Sequence, residues 1–160
     1  ERGLGLKIPA GVDDGMRLRV SGEGEAGYNG GPPGDLYVAI SIHAHSYFDR
    51  RGRDLYCTIP LSLVQAALGT EIKVPTLDGH EKLRIPEGTQ TGSVFRLRGK
   101  GFPSLDGRGP GDLYAAVHVI IPKNLTREQR RMLEALDHAL RVENKPLNRA
   151  AAEKVRTAHE

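Results

Sequence analysis

Four short patterns in this 160-residue chain carry residue types capable of chemistry. Gly22-Glu23-Gly24-Glu25-Ala26-Gly27 satisfies GxGxxG, the spacing with which a glycine loop offers backbone N–H groups to a dinucleotide pyrophosphate. Such a loop has to open a helix whose N-terminus faces the phosphate. Here the chain runs instead into Tyr28-Asn29-Gly30-Gly31-Pro32-Pro33, so the loop is read as structural. His43-Ala44-His45 would put two imidazoles on one side of an extended strand, but no carboxylate or thiol at ligand spacing completes a metal site, and a solvated strand end is the expectation. Cys57 alternates with apolar neighbours, the pattern of a buried and inert thiol rather than a nucleophile. Asp35 and Asp112 both follow Pro-Gly and precede Leu-Tyr. An active site is seldom duplicated intact, so both are assigned to hydrogen bonding at a loop end. With no carboxylate pair and no Ser/His/Asp order standing out, the chain is expected to be a non-enzyme that needs no cofactor.

The elements that position these residues are organised by an internal repeat. Leu6–Ile42 lies over Leu83–Val119 without a gap, at the constant offset that separates Pro9 from Pro86, and 15 of the 37 aligned positions are identical. Each copy reads as strand, turn, strand, glycine loop, strand. Lys7–Pro9 and Lys82–Pro86 are the expected first strands, each followed by a Pro-x-Gly turn. Met16, Leu18 and Val20 then alternate with Arg17 and Arg19, as Phe95 and Leu97 do with Arg96 and Arg98, which is the period of a half-buried strand. After the loops, Leu36–Ile42 and Leu113–Ile121 read as more continuous apolar strands.

Between the copies, Leu55, Cys57, Ile59 and Leu61 form another alternating strand. Leu61–Leu68 reads as a short apolar helix stopped by Gly69, and Glu71–Val74 as a strand leading into an Asp78-Gly79 hairpin turn. After Pro122, Thr126-Arg127-Glu128-Gln129 fits a capping box opening a helix. Met132, Leu133, Leu136 and Leu140 line one face of it, and Asn144-Lys145-Pro146 should end the run. A weaker helical pattern, Ala150, Ala151, Val155 and Ala158, follows.

Twenty glycines and ten prolines, no Trp and three Phe exclude a helical bundle for most of the length. One cysteine excludes an internal disulfide framework and suits a reducing, cytoplasmic setting. No apolar run reaches the roughly 18 residues of a membrane span. Lys and Arg number 23 against 20 Asp and Glu with the signs interspersed, which is not the footprint of a nucleic-acid binder. The start Glu1-Arg2-Gly3-Leu4, without Met, suggests a piece of something longer.

Ile8-Pro9-Ala10-Gly11-Val12, Gly22-Glu23-Gly24-Glu25, Gly34-Asp35-Leu36-Tyr37, Val74-Pro75-Thr76-Leu77-Asp78-Gly79 and Arg98-Gly99-Lys100-Gly101 resemble, in order and spacing, the C-terminal region of DnaJ-type (J-domain) co-chaperones. The resemblance covers about Leu6–Leu140. It implies a mainly β fold of tandem, β-sandwich-like client-binding modules, the first truncated, followed by a C-terminal dimerisation helix. The expected division is residues 1–44 for the second half of module I, 45–122 for module II and 123–160 for the helical segment. The family's J-domain, His-Pro-Asp tripeptide, Gly/Phe linker and CxxCxGxG repeats are absent from this sequence.

The resemblance also implies partners: unfolded client polypeptides, a second copy of the chain, and a seventy-kilodalton DnaK-type chaperone reached through the full-length protein. A client segment would add to a sheet edge and drop side chains into an apolar depression. In module II that edge is expected from Leu55–Leu61 and Glu71–Val74, giving Ile59, Leu61, Ile72, Val74, Phe95 and Leu97 as client-binding residues. Leu18 and Val20 are their counterparts in module I, and Met132, Leu133, Leu136 and Leu140 are the dimerisation face. A β-module that binds a polyanion or another protein partner through the outward Arg17, Arg19, Arg96 and Arg98 is the alternative.

Overall fold

The computed structural model describes residues 3–157. Strands account for 30% and helices for 21%, and the fold is accordingly mainly β with helices at its C-terminal end. The strands are β1 (Arg17–Val20), β2 (Leu36–Ala39), β3 (Asp49–Arg51), β4 (Asp54–Ser62), β5 (Thr70–Thr76), β6 (Gly79–Ile85), β7 (Val94–Leu97) and β8 (Leu113–Ile120). They form a β1-β2 pair, a sheet of order β3-β4-β8-β7 and a β5-β6 pair. The helices are α1 (Leu63–Leu68), α2 (Arg127–Leu140) and α3 (Arg149–Thr157).

The repeat read from the sequence recurs in the hydrogen bonds that close its loops. Gly24 N–H donates to Gly34 C=O and Gly34 N–H to Glu25 C=O; their counterparts are Gly101 to Gly111 and Gly111 to Phe102. Gly15 N–H to Ile40 C=O matches Gly92 to Val117, and Ile40 N–H to Met16 C=O matches Val117 to Ser93. Even a side-chain bond recurs with a changed residue: Ile42 N–H donates to Asp14 Oδ1, and Val119 N–H to Thr91 Oγ1. One expected pair is not equivalent. Lys82–Ile85 lies in β6, paired to β5, whereas no ladder among the described residues includes Lys7–Pro9. A strand exists through its partner's hydrogen bonds, and the local sequence does not supply the partner.

Two compact units are distinguished by their contacts. The first holds the described residues up to Cys57, with Thr76–Gly79 and Arg96–Ala115. Leu18 and Val20 sit half-buried on β1 between exposed Arg17 and Arg19, in register with β2 through Leu18 opposite Val38 and Arg19 opposite Tyr37. The interior is built from Val12, Phe48, Leu55, Cys57, Leu97, Leu113 and Ala115. Arg50 of β3 pins this interior. Its Nε donates to Gly52 C=O at 2.7 Å, Nη1 to Val12 C=O at 2.9 Å and Nη2 to Asp13 Oδ1 at 2.6 Å, and its plane covers the Phe102 ring at 3.7 Å. The charged run Asp49-Arg50-Arg51 hides β3 from a hydrophobicity reading, and its tight hairpin to β4 turns on Gly52 at φ 62.

The second unit holds Thr58–Pro75, His80–Phe95 and the described residues from Ala116 onward. Leu61, Ile85 and Val117 form its core, with Ile59, Ile72, Leu83, Phe95 and Val119 packed against them. Helix α1 starts two residues later than the apolar run suggests. Ser62 is an N-cap, its hydroxyl accepting from Gln65 N–H while Gln65 reaches back, so Leu61 stays in β4. Helix α2 has the expected capping box between Thr126 and Gln129. It ends earlier than Asn144-Lys145-Pro146, because Arg141 adopts a left-handed conformation (φ 47) and closes the helix with a bond to Asp137 C=O. Asn148 caps α3 through Ala151 N–H; Ala158, part of the expected pattern, lies outside the described residues.

Candidate functional site

Both glycine loops are held by the same clasp. Asp35 accepts from Gly22 N–H at 3.1 Å through Oδ1 and from Arg19 Nε at 2.6 Å through Oδ2; Asp112 accepts from Gly99 N–H at 2.9 Å and from Arg96 Nε at 2.7 Å. The Gly22 N–H, and after it the Arg19 guanidinium, hold the Asp35 carboxyl below its ordinary range, as Gly99 and then Arg96 do for Asp112. These aspartates therefore close loops, as their repetition in the sequence suggests. The GxGxxG stretch continues into a 3-10 turn, Tyr28–Gly30, and opens no α-helix, so it lacks the geometry that would hold a pyrophosphate. Sequence reasoning missed the arginine half of the clasp, although the identity of Arg19 and Arg96 across the repeat was its signal.

Arg96 has a further role, also unforeseen. Tyr56 and Tyr114 stack at 5.1 Å and 14°, with the Arg51 guanidinium 4.7 Å over Tyr56 and that of Arg96 6.0 Å over Tyr114. One side chain from each of β3, β4, β8 and β7 thus forms a ladder across the sheet.

The other sequence candidates are placed as follows. His43 and His45 are exposed and outside any strand, with His45 Nδ1 accepting from Tyr47 N–H. Among the described residues no cluster of His, Cys, Asp and Glu is arranged to hold a metal ion. Cys57 is buried, and that burial pushes its thiol pKa up, which makes it a poor nucleophile.

The apolar candidates divide by burial. Leu61, Val74 and Leu97 are interior and are closed to a client in this fold. Ile59, Ile72 and Phe95 are half-buried on the core of the second unit, and Leu18 and Val20 half-buried on β1. β4 and β5 do not form one sheet edge. β4 lies between β3 and β8, while β5 pairs with β6. β3 covers β4 only over Asp54–Tyr56, leaving Cys57–Ser62 without a neighbour on that side among the described residues.

On α2, Met132, Leu136 and Leu140 are 62%, 48% and 63% exposed and Leu133 is half-buried. This apolar face adjoins a groove of about 570 Å³ within the second unit, lined mainly by Pro60, Leu63, Val64, Ile120, Leu125 and Leu133. Such a surface can bind another apolar surface.

Comparison with known proteins agrees with this reading of the fold. The family profile described as DnaJ C terminal domain matches residues 1–122. A chaperone protein DnaJ of Brevibacillus choshinensis is 58% identical over 135 residues, 84% of this chain and 36% of the relative. One from Geobacillus kaustophilus is 57% identical over 132 residues, 82% of this chain and 35% of the relative. One from Methylorubrum populi is 52% identical over 157 residues, 98% of this chain and 41% of the relative. The chain thus spans between about a third and two fifths of the length of these relatives, in their C-terminal part. With three quarters of its length matched by the profile and a duplicated β unit to account for the match, the chain belongs to the DnaJ C-terminal domain family.

Proposed function

We propose that this chain binds unfolded or extended apolar polypeptide and self-associates through α2, as the non-catalytic C-terminal part of a DnaJ-type co-chaperone in the cytoplasm. Residues 1–44 and 45–122 serve as two client-binding modules, and residues 123–160 as the dimerisation segment. A DnaK-type chaperone is engaged through the rest of the full-length protein. The observation that carries this reading is the exposed apolar face of α2 beside the apolar groove of the same unit. Clients dock on Ile59, Ile72 and Phe95, which pack against the buried Leu61, and on Leu18 and Val20 in the first module. Each anchor that becomes fully buried contributes roughly 1.5 to 3 kcal/mol before ordering costs, so single sites are weak and dimerisation strengthens capture through avidity.

Polyanion binding is disfavoured because Arg19 and Arg96, two of the four outward arginines, are engaged by Asp35 and Asp112. The deciding experiment follows aggregation of a chemically denatured client, with and without the chain, across a salt series. Suppression that persists at high salt supports the proposal. No affinity for the denatured client, or binding confined to nucleic acid and lost as salt rises, overturns it.

A further inference from the structure

Gly34 and Gly111 hold the same place in the two copies of the repeat, and neither has a positive φ. Only one of them has a steric reason to be glycine. Gly111 is buried, and a Cβ there would overlap the Arg53 carbonyl. Gly34 is exposed, and a Cβ there would meet only Glu25 C=O, at 3.9 Å. A glycine with neither a left-handed φ nor a close neighbour marks a place where another backbone can approach. The second copy shows what approaches. Arg53 C=O accepts from Phe102 N–H at 2.7 Å, Asp54 Oδ1 accepts from Asp112 N–H at 2.9 Å, and Leu55 N–H donates to Asp112 C=O at 2.9 Å. Leu55 and Leu113 are buried there, and Tyr56 stacks on Tyr114. The corresponding groups of the first copy are Glu25 N–H, the N–H and C=O of Asp35, Leu36 and Tyr37. Leu36 is 37% exposed where Leu113 is fully buried, and Tyr37 is exposed where Tyr114 is half-buried. β8 lies between β4 and β7, whereas β2 has β1 as its one strand neighbour among the described residues. A pocket of about 410 Å³, bordered by Gly24, Pro33 and Leu36, opens beside Gly34.

We propose that Gly34, Asp35 and the open side of β2 form a docking slot for one segment of Arg-Asp-Leu-Tyr chemistry, supplied by polypeptide outside these 160 residues and held as Arg53–Tyr56 is held on Gly111 and Asp112. Its first carbonyl reaches Glu25 N–H by passing over Gly34, where any side chain would stand in the way. Its aspartate accepts from Asp35 N–H, and the next N–H donates to Asp35 C=O. Its leucine covers Leu36 and its tyrosine stacks on Tyr37. The slot does not depend on the client-binding reading and differs from it in kind. Client capture on Ile59, Ile72, Phe95, Leu18 and Val20 asks for apolar bulk and tolerates sequence, whereas this slot requires a buried aspartate acceptor at one fixed position.

A fluorescein-labelled peptide with the sequence of residues 49–62, carrying Cys57→Ser, tests it with the full chain by anisotropy, beside a scrambled peptide of the same composition. The ordered peptide is expected to bind and the scrambled one to bind at least about fivefold more weakly. Asp54→Ala within the peptide weakens it by about fivefold, the loss of one hydrogen bond. Gly34→Ala in the chain weakens it by roughly tenfold or more while the melting temperature stays unchanged, since the added methyl meets open space in the chain alone. On addition of the peptide, amide exchange slows at Glu25 and Asp35. Equal binding of the ordered and scrambled peptides, or full binding by Gly34→Ala, overturns the slot. Should Gly34→Ala not fold, unchanged exchange at Glu25 and Asp35 in the wild-type chain with the peptide bound does so. Protection of Asp35 N–H that rises with the concentration of the chain alone would make a second copy the occupant and overturn the assigned partner. Loss of denatured-client binding alone removes the proposed function and leaves the slot standing.

Discussion

At the residue scale, the duplicated Asp–Arg–Gly clasp is where a single substitution says most. Asp112 serves two donors, Gly99 N–H and Arg96, whereas Arg96 loses only its ion pair and its contact with Tyr114 when truncated. Asp112→Ala is therefore expected to lower the unfolding temperature more than Arg96→Ala, because it leaves both a loop N–H and a guanidinium without their acceptor. Calorimetry of the two variants checks the order, and equal shifts would show the loop bond to be inconsequential. The clasp also predicts an acid response. Asp35 and Asp112 titrate below the ordinary value of 3.8 in the folded chain, so their contribution is fully present above that value. It is lost as pH falls through the lower folded value. Wild-type stability should drop on acidification in that window, and the drop should be shallower in an Asp35→Asn, Asp112→Asn double variant. A pH series of urea midpoints measures it.

At the scale of elements, the loops and helices differ in what holds them. Gly101 needs the absence of a side chain: a Cβ there would lie 2.5 Å from Arg53 C=O and from the Gly111 carbonyl carbon. Gly107, at φ 71 in open space, needs only its backbone freedom. Gly101→Ala is expected to cost about 2 kcal/mol or more by forcing the loop apart, and Gly107→Ala about 1 kcal/mol. Equal costs in denaturant unfolding would refute the close-approach argument. Helix α2 has no buried residue, so its capping box carries a large share of its local stability. Thr126→Ala should cost about 1 kcal/mol. The loss should appear as faster amide exchange in the first turns of α2, with the melting of the β units barely moved.

For the molecule as a whole, the decisive quantity is its oligomeric state. An amphipathic helix that leaves Met132, Leu136 and Leu140 exposed beside an apolar groove is stable in water only if that surface is otherwise tolerated or becomes covered. Self-association in the micromolar range is expected by light scattering. Leu136→Asp should raise the dissociation constant roughly tenfold or more by placing a charge in the interface. A chain that stays monomeric at every concentration, or a dimer that Leu136→Asp leaves unchanged, would remove α2 as the dimerisation face.

Much of this architecture is local and therefore legible in residue order. The offset from Pro9 to Pro86 implies two copies of one hydrogen-bonding scheme. Alternation implies which faces of β1, β4 and β7 are apolar, and Thr126 with Gln129 implies where α2 begins. These follow from side-chain period and capping chemistry, which operate within a few residues. Tertiary structure alone decided which strands pair: that Lys7–Pro9 joins no ladder among the described residues, that β3 exists within a charged run, and that β4 and β5 lie in different sheets. It also decided that Leu61, Val74 and Leu97 are core, whereas Ile59, Ile72 and Phe95 remain half-open, and that Arg19 and Arg96 are engaged by aspartates 16 residues away. The reason is physical. Periodicity states that a face is apolar, but whether another strand, a helix or solvent covers it depends on long-range hydrogen bonds and packing that no short window of sequence contains.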